Sequence, residues 1–118
     1  MASVTEFKIT EAVAILTRTP DTLSSLLRGL PSIWVHSNEG EDTWSALDIL
    51  GHLVYAEHTD FMPRVRILLD HGETQPFDPF DRFAHLNGNP ASLDHLLDEF
   101  AHLRQQNLTA LAALNLQQ

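Results

Sequence analysis

Between positions 45 and 70 the apolar side chains Leu50, Val54, Phe61 and Leu68 recur four or seven residues apart, the repeat of a helix that buries one face. Two other segments share this repeat. One runs from about Glu6 to Arg18 with Ile9, Ala12, Val13 and Leu16 in register. The other runs from near Ser92 to about Leu114 with Leu93, Leu96, Leu97, Phe100, Leu103, Leu111 and Leu114. No strand-like alternation of useful length, internal repeat or sustained heptad is found. The fold class expected is all-α. With 118 residues, the chain is expected to form a single helical domain over 1–118, an antiparallel bundle of long helices.

Proline, glycine and small polar residues punctuate these segments. Pro20, with Thr19 as its cap, predicts a kinked helix or two short collinear ones that end at Gly29 and Pro31. Residues 31–43, "PSIWVHSNEGEDT", read as a loop with an apolar trio, Ile33, Trp34 and Val35. Ser45 and Asp48 stand at capping-box spacing and open the second long helix, which runs to about Asp70 and is expected to bend at Pro63. From His71 to Ala91 the chain has no period and is rich in Pro, Gly, Asp and Phe. Its "PFDPFDRF" run suggests aromatic side chains plugging a groove.

Charge and composition narrow the partners. Sixteen acidic against seven basic residues give a net charge of -9 with no basic cluster, which argues against nucleic acid and anionic membrane surfaces. The start, "MASVTEFKITEAV", lacks the features of a secretion signal, and no apolar run is long enough to span a bilayer, so a soluble cytoplasmic protein is expected. Without cysteine, disulfides and thiolate ligands are excluded, and any metal must be held by His, Asp or Glu. Seven histidines, at 36, 52, 58, 71, 85, 95 and 102, then carry most of the chemical possibilities.

His95, Asp98 and His102 share a face opposite the leucine stripe of the third helix, the pattern of a solvated face with local ion pairs. Glu57 and Arg64 instead fall inside the apolar arc of the second helix. Such charges need partners, and the spacing offers a Glu57–Arg64 pair, an Asp60–Arg64 pair, or a carboxylate held dry for binding or acid-base work. His52 lies on the far side of that arc with Asp48, Tyr55 and Thr59. Asp48, one turn earlier, is placed to accept from one ring nitrogen and orient the other. By spacing alone, a helix-face histidine with a carboxylate neighbour is the simpler interpretation. Asn107-Leu108-Thr109 is a formal glycosylation sequon inside an expected helix, and no nucleotide-binding or serine-hydrolase motif occurs.

The stretch "TWSALDILGHLVYAE", residues 43–57, resembles the DinB-like (DinB/YfiT-like) family of metalloenzymes. The Trp-Ser pair, the acid three residues after the Ser and the Ile-Leu-Gly-His-Leu core carry the likeness, followed by "PR" at 63 and 64, the aromatic-Asp run and the "LDEFAHLRQQNLTALAAL" helix. The resemblance implies a four-helix bundle and a divalent ion, zinc or nickel, held by three histidines, one on the second helix and two on the last. Only His52 matches that set, with Asp48 as its orienting neighbour, and no histidine follows His102. The family's last helix is therefore expected to be absent from these 118 residues.

Two functions follow as expectations. One is a metal-dependent hydrolase or thiol transferase acting on an unspecified small molecule, its pocket bordered by the acidic loop at 36–42 and by "PFDPFDRF". The other is a noncatalytic module for dimerisation or partner binding, with Trp34, Phe77, Phe80 and Phe83 as packing or contact aromatics. Apolar faces without a fourth helix to cover them also point to a homodimer or higher assembly.

Overall fold

The computed structural model describes residues 6–86 and 91–116. Residues 1–5, at the start read as signal-free, residues 87–90 of the expected 71–91 connection, and residues 117–118 lie outside the described residues. The elements are α1 (Ile9–Leu27), a short α2 (Ser32–His36), α3 (Ala46–Thr59), α4 (Phe61–His71), a 3-10 turn (Ala84–Leu86) and α5 (Leu93–Ala113). Among the described residues the fold is all-helical, and no helix is long and apolar enough to cross a membrane.

Local chemistry sets the helix starts. The Ser45 hydroxyl accepts from the Asp48 backbone N–H at 3.1 Å while the Asp48 carboxylate accepts from the Ser45 N–H at 3.0 Å, so two donors that a helix start leaves unpaired are satisfied reciprocally. Ser92 does half of the same for α5, its hydroxyl accepting from the His95 N–H at 3.2 Å.

The two prolines act differently from what their positions predict. The second helix does not merely bend at Pro63 but breaks at Asp60 into α3 and α4. Pro63 has no N–H for the carbonyl four residues earlier, at Thr59, where α3 ends, and as third residue of α4 it occupies a position that needs no intrahelical donor. Pro20, by contrast, lies inside a continuous α1. The carbonyl it leaves without a backbone partner, that of Leu16, accepts instead from the Arg104 guanidinium at 2.8 Å. The expected loop at 31–43 also contains α2, where Val35 is buried while Ile33 and Trp34 face outward.

One core cluster joins Val35, Leu47, Leu50, Val54, Leu96, Leu97 and Phe100, with Leu23 and Leu27 of α1 packed against it. Arg28 near the end of α1 pairs with Asp94 and Asp98 at the start of α5, and Leu16 meets Arg104 further along, so α1 and α5 are antiparallel. Early α3 meets early α5 in the cluster, and Glu57 of late α3 meets Arg104 and Asn107, so these two helices run the same way. A parallel pair needs a long return connection, which is why the segment after α4 is long. It also carries the aromatic residues back over α3.

Candidate functional site

Three sets of polar side chains from the sequence reach different surroundings. On α5, Asp98 is exposed and pairs with Arg28 at 2.8 Å, His95 pairs with Glu99 at 3.4 Å, and His102 is exposed, the solvated face that spacing predicts. Glu57 and Arg64 do not pair with each other. Arg64 is half-exposed, binds Asp60 at 2.7 Å and lies over the Phe77 ring, because the break at Asp60 turns α4 out of register with α3. Glu57, only 8% exposed, is held by Arg104 at 2.8 Å and by the Asn107 amide at 2.9 Å. The same amide donates to the Glu57 carbonyl at 2.7 Å, so the asparagine of the formal sequon is committed to the interior. With both carboxylate oxygens engaged, Glu57 is a tie between helices and not a free acid or base.

His52 has different neighbours. Its face of α3 is covered by the returning segment, with Phe80 at 5.6 Å between ring centroids and His85 at 5.4 Å, and by Trp44, which precedes α3, at 5.3 Å. Tyr55, one turn on, meets Phe80 at 5.4 Å, so this aromatic run does plug a groove. Nδ1 of His52 is buried with no hydrogen-bond partner. Asp48, expected to accept from the ring, makes no hydrogen bond with that nitrogen, and its Oδ2 accepts from the Ser45 N–H in the capping box.

His85 is the member that sequence reasoning missed. The Asp81 carboxylate accepts from the Phe83 N–H at 3.0 Å and its carbonyl from the Ala84 N–H at 3.2 Å, a tight turn that presents His85 to α3. The ring meets Trp44 edge-on at 4.6 Å and lies over Gly51, where an added methyl would contact it at 3.5 Å and a longer side chain would displace it. Neither ring nitrogen has a hydrogen-bond partner. Burial pushes the His85 imidazole below its ordinary pKa and neighbouring His52 adds to this, while Asp48, the Arg82 carbonyl and Asp81 pull partly back. A neutral imidazole keeps a lone pair free for a ligand. The sequence signal was faint: a Gly beside His52, and a histidine in a segment with no period.

Beside the pair opens a cleft of about 610 Å³ lined by Asp42, Thr43, Trp44, Asp48, Arg82, Phe83 and Leu86. The Arg82 guanidinium lies over the Trp44 ring at 5.7 Å and the Phe83 ring at 5.0 Å. Both segments expected to border a pocket do so, one through Asp42 and the other through Arg82 and Phe83. A smaller hollow of about 110 Å³ lies between Tyr55, Arg64 and Phe80.

The three-histidine set implied by the resemblance does not fit these residues. Among the described residues no group of three or more His, Asp or Glu stands in position to hold an ion. What is present is a pair of imidazoles with three buried, unpartnered nitrogens.

The described residues thus form a small all-helical bundle with a histidine pair packed against Phe80 and Trp44, beside an open cleft. A family model described as the DinB superfamily matches residues 15–118, and the chain belongs to that superfamily. Comparison with curated proteins returns no match.

Proposed function

We propose that this chain is a metal-dependent enzyme of the DinB type that acts on a small molecule by hydrolysis or thiol transfer, with His52 taking the ion. The observation that supports it most is the buried, unpartnered Nδ1 of His52, whose ring packs 5.3 Å from that of Trp44, a residue that lines the cleft. A bound zinc or nickel ion would supply Lewis acidity and a lowered pKa for a coordinated water or thiol. The protein's own residues do the rest. Arg82 gives the cleft one cationic group for an anionic substrate, Trp44, Phe83 and Leu86 offer apolar surface, and Phe80 keeps water from the His52 ring.

Metal content by elemental analysis, with melting curves in zinc and in nickel, tests this. Wild-type protein is expected to carry about one ion per chain and His52→Ala none. Free metal at a hundred times its dissociation constant should stabilise the wild type by about 2.7 kcal/mol. No uptake and no shift would overturn the metal reading in favour of a noncatalytic helical module.

The protein works as a homodimer or higher assembly. What supports this is its surface: the chain exposes 8683 Å², roughly 2,200 Å² more than the about 6,450 Å² that size scaling gives for a compact monomer of its mass. Its radius of gyration, 16.5 Å, also exceeds the about 13.5 Å of a compact chain of this length. An excess of that size is enough for one side of a stable interface. On α1, which has no fully buried residue, Ile15 and Leu26 are 70% and 65% exposed and lie on one line, close to a whole number of turns apart. A second copy is the occupant assigned to this face. Light scattering is expected to give at least twice the 13.3 kDa chain mass, reduced in an Ile15→Asp/Leu26→Asp variant. A 13.3 kDa species at high concentration would sink the assignment.

A further inference from the structure

The cleft beside the histidine pair is lined by opposite charges that do not pair with each other. We infer that it binds a dipolar small molecule of the amino-acid or peptide class. Arg82 takes its carboxylate, Asp42 its ammonium group, and Trp44, Phe83 and Leu86 its apolar body. The inference rests on the reading of this cleft as the substrate's place and adds the chemical class of the ligand, and it does not depend on an ion at His52.

Three observations carry it. First, Arg82 is a cation without a carboxylate in a chain that has sixteen acidic residues against seven basic ones. Arg28, Arg64 and Arg104 each meet a carboxylate, at 2.8, 2.7 and 2.8 Å. Arg82 meets none among the described residues, although Asp42 and Asp48 line the same cleft. Its guanidinium lies instead over the Trp44 and Phe83 rings, at 5.7 and 5.0 Å. Such ring contacts steady a guanidinium and leave its N–H groups without an acceptor, and two of them match the two oxygens of a carboxylate.

Second, the Asp42 carboxylate makes no hydrogen bond or ion pair among the described residues. Asp42 stands at a φ of 62° in a turn tied by Thr43, whose hydroxyl donates to the Gly40 carbonyl at 2.6 Å and accepts from the Glu39 N–H at 2.9 Å. Aspartate and asparagine tolerate this left-handed backbone better than other side chains, so the turn holds an acid at the cleft. Asp48, by contrast, has one oxygen committed to the capping box. Third, Phe83 and Leu86 are 52% and 46% exposed, and the volume of about 610 Å³ is that of a small-molecule site. A simple anion would satisfy Arg82 and meet the like charge of Asp42, whereas a ligand bearing both charges is complementary to both.

Titration of the 118-residue protein with the dipeptide Leu-Phe, followed in ¹H–¹⁵N spectra, tests this against N-acetyl-Leu-Phe and Leu-Phe amide, which each lack one charge. The Trp44 indole N–H signal is expected to shift saturably with Leu-Phe at millimolar concentration or below. That of Trp34, 71% exposed on α2 and outside the cleft lining, should stay in place as an internal reference. Each derivative is expected to bind at least tenfold more weakly. Arg82→Gln should abolish the preference for Leu-Phe over its amide, and Asp42→Asn, which keeps the left-handed turn, the preference over the acetylated form. Arg66→Gln and Glu41→Gln, exposed and outside the cleft lining, should change neither. Circular dichroism identifies any variant that has lost its fold. Equal binding of Leu-Phe and N-acetyl-Leu-Phe, both weakened by Arg82→Gln, overturns the dipolar ligand and leaves the cleft as a site for an anionic substrate. Preferences that survive both substitutions overturn the roles given to Arg82 and Asp42. No shift of Trp44 with any of the three compounds overturns the cleft reading as well.

Discussion

Replacing Arg104 by alanine is expected to lower the unfolding free energy by about 3–5 kcal/mol, the cost of leaving a buried carboxylate without its counter-charge. Arg104 and Glu57 have side chains only 11% and 8% exposed and meet at 2.8 Å. The same guanidinium also holds the Leu16 carbonyl that Pro20 leaves unpaired. One side chain on α5 thus satisfies a charge on α3 and a backbone oxygen on α1, and its removal leaves both without that partner. Urea unfolding followed by circular dichroism would show the transition midpoint falling with little change in slope. Removing the charge at both ends, as in Glu57→Leu with Arg104→Leu, should cost less than Arg104→Ala, because no isolated charge then remains. The pair Asp60–Arg64 supplies the contrast: with Arg64 about 40% exposed, Arg64→Ala should cost no more than about 1 kcal/mol. Equal losses at Arg104 and Arg64 would contradict the special place given to Arg104.

Phe100→Ala is expected to cost about as much, roughly 3–5 kcal/mol, for a different reason. Phe100 is 1% exposed at the centre of the only extended core cluster among the described residues, where α3 and α5 meet and α2 adds Val35. Truncation removes apolar contact and leaves a cavity that three elements would have to move to fill. The Arg104 guanidinium also lies over the Phe100 ring at 4.9 Å, so the two substitutions should not be additive. Either loss is a large fraction of what a domain of this size has to spare. A variant that melts like the wild type would mean that the core is not organised around this ring.

Much of this structure was legible because it is local. The reciprocal cap at Ser45 and Asp48, the start of α5 at Ser92 and the solvated face of His95, Asp98 and His102 depend on residues three or four apart, which helix geometry brings together. The superfamily was legible as well, from the "TWSALDILGHLVYAE" stretch and the order of the motifs after it. The prolines were legible as disturbances only. Both remove a backbone donor, yet one follows a helix break and the other lies inside a continuous helix, where the carbonyl it frees is satisfied by Arg104, eighty-eight positions away. The partner of Glu57 was missed in the same way. Spacing favoured residues on its own helix, whereas the acceptor geometry was met from α5, across forty-seven positions.

By itself the sequence determined that the chain is helical, where its main helices start, and that any ion must be held without cysteine, because periodicity, capping and side-chain chemistry act within a few residues. Only the tertiary structure decided which charges are buried together and which histidine stands beside His52. His85 lies in a segment without period, and its position follows from a parallel α3–α5 pair that requires the chain to return across α3, a constraint imposed by packing.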